Sequence, residues 1–299
     1  MSAARLAGLG GVVTPLITPL RDGGAVDEAA LGRLASRLLD ADVGGLFVLG
    51  SSGEGPWLTP AERACVIRVA VKVAAGRVPV LVGVLEPSAA RVVEAVEQAA
   101  ELGADAAVVT TPYYFEADDD AQVDHFAAVA ARSALPLIVY NIPKMTHNVV
   151  APSMVRQILE SANVIGVKDS AGDAEAFAGF LALKAERPDF RVFQGAERQS
   201  ARALREGADG LVPGLSNVAP ELFVKLSAHV REGAYEAAER LQQDVVALWE
   251  LHTHGFWLEC LKSAASVLGI GNGAAYGRTP RLDEGAKRAI RRLVEGAQH

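Results

Sequence analysis

The chain has 299 residues, half of them hydrophobic, with a formal net charge of −7 at pH 7 and 29 glycines spread along its length. Its lysines and arginines are scattered among acids and form no basic stripe, so neither a nucleic acid nor an anionic membrane surface is expected as a partner. With no apolar run of membrane-spanning length and no signal-like N-terminus, the composition predicts a cytoplasmic protein that acts on a small molecule.

In chain order, short apolar, β-rich runs recur at Gly11–Thr18, Gly45–Gly50, Pro79–Val84, Ala106–Thr111, Pro136–Asn141, Val164–Lys168, Arg191–Gln194 and Gly210–Val212. Each is followed by a longer amphipathic stretch. Near-continuous hydrophobicity suits parallel strands covered on both faces, and helical returns are how such strands are joined. Helix starts are legible as well. Thr59-Pro60-Ala61-Glu62 has the form of a capping box with proline in the first turn, and Pro152 and Pro220 open later helices.

A Gly-x-Gly-x-x-Gly turn between the first strand and first helix is absent, and the Gly50–Gly55 segment lacks the Lys-Ser/Thr of a nucleotide-binding loop. The pattern predicts an α/β fold, a (β/α)8 TIM barrel over residues 1–232, with residues 233–299 as a C-terminal helical extension. Three helical stretches make up that extension, which the barrel itself does not need and which suits an oligomer interface or a cap. Cys65 and Cys260 lie far apart in apolar, helix-like stretches and read as buried thiols of a reducing compartment, with neither a disulfide framework nor a zinc spacing.

In such a barrel the active site lies at the carboxyl ends of the strands, so a group's position on its own strand is a test independent of any motif. Ser51 and Ser52 follow the second strand and Tyr113 and Tyr114 the fourth. Tyr140 ends the fifth, Lys168 the sixth, and Gly195 follows the seventh.

Lys168 is the most informative of these. A buried strand would deliver its amine into a site where desolvation disfavours the charged form, and a neutral amine can attack a carbonyl carbon to form a Schiff base. The plainer alternative is a lysine that marks the strand end and points into solvent. Gly50-Ser51-Ser52-Gly53-Glu54-Gly55 offers two hydroxyls and unencumbered backbone N–H groups for a carboxylate or phosphate, or is an ordinary surface turn. Tyr140 suits a proton relay or a core tyrosine, and Tyr113 and Tyr114 a second phenol or simple packing. His252 and His254 form the one close histidine pair, but a spacing of two turns their rings to different sides of a helix. No metal or cofactor is expected.

The Gly50–Glu54 loop, Thr111-Pro112-Tyr113-Tyr114, Tyr140-Asn141-Ile142-Pro143 and Gly166-Val167-Lys168-Asp169-Ser170 stand in the order and approximate spacing of the dihydrodipicolinate synthase / N-acetylneuraminate lyase family, which the chain resembles over nearly its whole length. The resemblance implies a homotetrameric class I aldolase or lyase that needs no cofactor, with an iminium between its lysine and pyruvate or a similar 2-oxo acid. By position, Lys168 would be the Schiff-base residue and Tyr140 the proton shuttle. Ser51 and Ser52, where the family usually has two threonines, would bind the carboxylate, with the Ser51 hydroxyl also in the relay. Tyr114 corresponds to the tyrosine that reaches across a subunit interface, Gly195 should line the pyruvate pocket, and Val212 should lie beside it through its backbone.

The resemblance weakens at the second substrate. Members that make dihydrodipicolinate usually carry an arginine two residues after the proline of the Tyr-Asn-x-Pro motif, and here Met145 occupies that place after Lys144. A thioether cannot replace a bidentate guanidinium. Lys168-Asp169-Ser170-Ala171-Gly172-Asp173 resembles members that cleave 2-keto-3-deoxy sugar acids or 4-hydroxy-2-oxoglutarate. The expected function is therefore a Schiff-base aldolase joining or separating a 2-oxo acid and an aldehyde. The alternatives are 4-hydroxy-tetrahydrodipicolinate synthase and a non-catalytic binding barrel. Aldehyde specificity is expected to involve Met145, His147, Ser170 and residues near Leu215 and Asn217.

Overall fold

Eight parallel strands close on themselves in chain order: β1 (Gly11–Pro15), β2 (Gly45–Val48), β3 (Val80–Val84), β4 (Ala106–Thr110), β5 (Leu137–Asn141), β6 (Val164–Asp169), β7 (Arg191–Gln194) and β8 (Gly210–Leu211). The computed structural model describes residues 2–161, 163–279 and 281–297. The barrel closes where Gly11 and Val12 of β1 pair with Gly210 and Leu211 of β8.

Because side chains alternate along a strand, each strand serves two cores. Ile138 and Tyr140 of β5 point into the barrel, where they meet Val13, Phe47, Val108 and Phe193. Leu137 and Val139 point outward into the larger core beneath the helices. This two-sided burial is why the strands read as continuous apolar runs.

The helices start where the sequence marks them. Helix Pro60–Ala74 has a complete capping box, with the Thr59 side chain accepting from the Glu62 amide and the Glu62 carboxylate from the Thr59 amide. Helices Pro152–Ile158 and Pro220–Arg231 each open on proline. The C-terminal extension holds helices Tyr235–Trp249, Trp257–Val267 and Glu284–Gly296, the first packed on Pro220–Arg231 and the second on the third. Among the described residues, no helix is long and apolar enough to cross a membrane.

Some strands end earlier than the apolar runs suggest. β1 stops at Pro15 and not at Thr18, because Ile17 donates its amide to Asn217 Oδ1 and Thr18 its hydroxyl to the Gly53 carbonyl, which takes the chain out of the sheet. β2 stops at Val48 because Leu49 turns into the left-handed region at φ +60°. Cys260 is buried as expected, whereas Cys65 is only partly covered.

Candidate active site

The register of β5 and β6 sets Tyr140 directly opposite Lys168. Both face the barrel interior near its C-terminal end, and Lys168 is 5% exposed. Its Nζ lies 3.9 Å from the centre of the Tyr140 ring and 4.8 Å from that of Phe47. Aromatic faces are favourable neighbours for an ammonium, by about 0.5–2 kcal/mol each. They leave the nitrogen lone pair uncommitted once the proton is lost.

The next residue pair holds that register from behind. Asn141 donates from Nδ2 to Asp169 Oδ1 at 2.6 Å and accepts the Val150 amide on Oδ1 at 3.0 Å. The Ser170 amide donates to the Asn141 carbonyl and the Gly195 amide to the Asp169 carbonyl, so the tips of β5, β6 and β7 are stitched together. Asp169 is fully buried, and this burial pushes its carboxyl above the usual range. A Cβ on Gly195 would overlap Ser170 Oγ, which would have to rotate away, and would press on the Asp169 carbonyl at 3.0 Å.

Ser51 and Ser52 reach the site from a tightly folded loop. Leu49 and Glu54, at φ +60° and +59°, bracket it in a conformation that side chains other than glycine rarely adopt. The Leu49 carbonyl lies where a Cβ on Gly55 or Gly83 would sit, so two glycines are needed for the loop to close. The hydroxyl-bearing turn thereby meets the amine-bearing strand across a cavity of about 340 Å³ that Ser51, Ser52, Tyr140, Lys168, Gly195 and Val212 line together.

The outer half of this cavity comes from groups that sequence reasoning did not assemble. Glu197, just past β7, accepts the Leu215 amide on Oε1 at 2.7 Å. Enclosure by protein, against the opposing pull of the Leu215 and Gly214 amides and Lys168, pushes its carboxyl up to about 7. Trp249, His252, Trp257 and Leu261 line the same cavity from the C-terminal extension. His252 Nδ1 donates to the Trp257 carbonyl at 3.2 Å, and burial pushes its imidazole down to about 4. It is therefore neutral at pH 7. The extension is thus a wall of the site, a more specific role than the oligomer interface or cap expected of it.

Met145 and Ser170 line the cavity as expected, together with Lys144. His147 does not, being an exposed left-handed residue at a helix end. Asn217 and Ser216 are structural: Asn217 donates to the Pro15 and Gly214 carbonyls, and Ser216 donates to Pro213. Leu215 contributes its amide to Glu197, with its side chain in the core. Tyr113 packs, its hydroxyl donating to the Leu85 carbonyl at 3.0 Å. Tyr114 stands away from its own chain's cavity, 87% exposed and edge-on to the exposed Phe115.

Glu197 passes the same strand-end test as the other candidates and was available to it. Trp249, Trp257 and Leu261 carried no such signal, because their approach to the barrel mouth depends on how the extension folds back.

This barrel, its lysine and its glycine-bracketed loop coincide with a match of residues 8–295 to the Dihydrodipicolinate synthetase family. The chain belongs to that family. It is an aldolase-type lyase of the family's (β/α)8 class. A 4-hydroxy-tetrahydrodipicolinate synthase of Kosmotoga olearia is 33% identical over 292 residues, covering 96% of each chain. An uncharacterised DapA-like lyase of Halobacterium salinarum is 35% identical over 283 residues, covering 95% of this chain and 92% of its own. Among solved structures, the dihydrodipicolinate synthase of Thermotoga maritima superposes with a TM-score of 0.93 at 27% identity, covering 97% of this chain and 99% of that one. YagE of E. coli K12, a family member solved in complex with pyruvate, gives 0.91 at 28% identity, covering 97% and 98%.

Proposed function

We propose that this lyase joins pyruvate, or a similar 2-oxo acid, to an aldehyde, or breaks the same bond, through a Schiff base on Lys168. The observation that carries the reading is the Lys168 amine itself, buried at the C-terminal end of β6, facing a cavity and stacked on Tyr140. Pyruvate bound to the similar YagE supports the choice of 2-oxo acid.

The chemistry follows from the amine. Unprotonated Nζ adds to the ketone carbon, and the carbinolamine loses water to give a protonated iminium. That iminium is an electron sink, so C3 loses a proton and becomes the nucleophilic carbon of an enamine. C3 then attacks the aldehyde carbon, the new alkoxide takes up a proton, and water hydrolyses the iminium to release product and free the lysine. In the cleavage direction the C4 hydroxyl gives up its proton, the C3–C4 bond breaks, and its electron pair passes into the enamine. Tyr140 and the Ser51 hydroxyl move these protons. Ser51, Ser52 and the neighbouring amides hold the carboxylate, and Gly195 and Val212 flank it.

In this reading the protein works in the cytoplasm as a homotetramer, and Tyr114 enters the site of a second copy. Its exposure on its own chain is what supports that role. The division at residue 232 into barrel and extension belongs to the same reading. The aldehyde is a hydroxylated one, as in a 2-keto-3-deoxy sugar acid or 4-hydroxy-2-oxoglutarate, since Met145 lines the Lys168 cavity and no arginine is among the described residues lining it, Arg278 meeting Met145 only in the adjoining cavity. A second reading, 4-hydroxy-tetrahydrodipicolinate synthase, is favoured by the name of the Kosmotoga relative. Consumption of aspartate semialdehyde with pyruvate would support it, and negligible activity would exclude it.

The direct test is incubation with pyruvate, reduction with borohydride and peptide mass spectrometry. An adduct on Lys168 is expected. Folded protein that traps nothing at high pyruvate would overturn the mechanism.

A further inference from the structure

Glu54 closes the serine loop from behind, and the C-terminal extension takes both of its carboxylate oxygens. Lys262 Nζ donates to Oε2 at 2.6 Å, and the Tyr276 amide donates to Oε1 at 2.6 Å. The Tyr276 hydroxyl reaches on to Glu62 Oε2 at 2.9 Å, at the start of the helix after the loop. The Lys262 and Glu54 side chains are sealed from solvent, at 2% and 0% exposure.

Burial pushes the Glu54 carboxyl up and the Lys262 amine down, each against the pull of its partner. Desolvation therefore outweighs attraction, and a buried pair of that kind adds little net stability over well-packed apolar side chains. Position is what it supplies. Glu54 is itself left-handed at φ +59°, as is Leu49 at +60°, and a bulky residue held there costs about 1–3 kcal/mol unless its surroundings fix it. Within the loop the Glu54 amide donates to the Ser51 carbonyl and the Gly55 amide to the Gly50 carbonyl, so a shift of Glu54 carries the serines with it.

We propose that Lys262 and Glu54 are positioning residues for the carboxylate-binding loop: with the Tyr276 amide, their ion pair holds the strained turn so that Ser51 and Ser52 face Lys168. This makes the C-terminal extension part of the 2-oxo-acid subsite. It rests on assigning that loop to the substrate carboxylate.

Lys262→Met alone would strand a buried carboxylate, so the test uses the double variant Glu54→Gln/Lys262→Met, which removes both charges at nearly constant side-chain length. Glu54→Gln alone keeps one acceptor, for the Tyr276 amide, while its NH2 faces the buried Lys262 ammonium, so it should shift both readouts in the same direction by at least as much. In the double variant, amide exchange over residues 50–55 should accelerate about tenfold or more. KM for pyruvate should rise about tenfold while kcat at saturation changes less than about threefold. Ala264→Gly, buried on the same helix, should lower thermal stability and move neither readout. Unchanged exchange and KM in either folded Glu54 variant, or an equal rise in Ala264→Gly, would overturn the proposal. Failure of the wild-type protein to trap pyruvate would instead sink the Schiff-base reading, and loop exchange, which needs no substrate, would still decide this one.

Discussion

Asn141 and Asp169 are register partners on β5 and β6, joined side chain to side chain at 2.6 Å, and they stand immediately after Tyr140 and Lys168, the pair that meets across the cavity. One strand pairing therefore sets both the chemistry inside the barrel and the latch outside it. The alternation of side chains makes this unavoidable, since neighbours on a strand face opposite ways.

Removing the latch should be felt at both ends. Asn141→Ala strips a partner from Asp169 and from the Val150 amide, groups that are buried. The Val150 amide is orphaned, at about 1–3 kcal/mol, and Asp169 Oδ1 keeps the long contact from the Ala171 amide, so denaturant unfolding should show a loss of roughly 1–3 kcal/mol or somewhat more. Because Tyr140 and Lys168 share that register, kcat should fall with it. A variant of wild-type stability would show that the latch is idle.

Lys168→Ala should abolish borohydride-trappable adduct and reduce turnover by about 10⁴-fold or more, while circular dichroism and melting remain close to wild type. Lys168 is in no salt bridge within 4 Å among the described residues, and the acid that feels its charge, Glu197, is already pushed up to about 7 by enclosure, so losing the amine should cost little stability. Retained turnover would rule out the Schiff base.

Glu197 links stability and rate to pH. Its carboxyl is pushed from 4.5 to about 7 by enclosure, so the folded chain keeps a proton that the unfolded chain releases. Its contribution is fully present below about pH 4.5 and is lost as pH rises through about 7, amounting to at most about 3 kcal/mol. Glu197→Gln should therefore lose less stability than wild type between pH 5 and 8, as read by melting temperature. The same substitution should remove any inflection near pH 7 from the rate profile. Profiles that coincide in both measurements would assign the carboxyl no titration in this range.

Met145→Arg should put a guanidinium at the rim of the cavity beside Lys144. With an aldehyde that carries a carboxylate, kcat/KM should rise by about tenfold, the scale of a charge-assisted hydrogen bond, while a neutral hydroxyaldehyde should gain nothing. Steady-state kinetics with one aldehyde of each kind provides the comparison. A uniform change for both would mean that position 145 does not read the aldehyde.

What the amino-acid sequence determined by itself was local. Apolar runs and amphipathic returns marked all eight strands and their connections, because a strand buried on both faces has to be apolar along its length. The capping box at Thr59 was equally visible, since its two hydrogen bonds lie within four residues. So were Lys168, Tyr140, Ser51, Ser52 and Gly195, because in a barrel the end of a strand already says which mouth a residue faces, whereas Val212 came only from the family resemblance. Tertiary structure decided the rest. Leu49 ends β2 early through a left-handed turn made possible by Gly55 and Gly83, the latter a strand away. Trp249, His252, Trp257 and Leu261 reach the barrel mouth from far along the chain, and Lys262 reaches Glu54 across 208 positions. Contacts of that range depend on how the extension packs back over the barrel, and no periodicity or motif within a single segment carries that information.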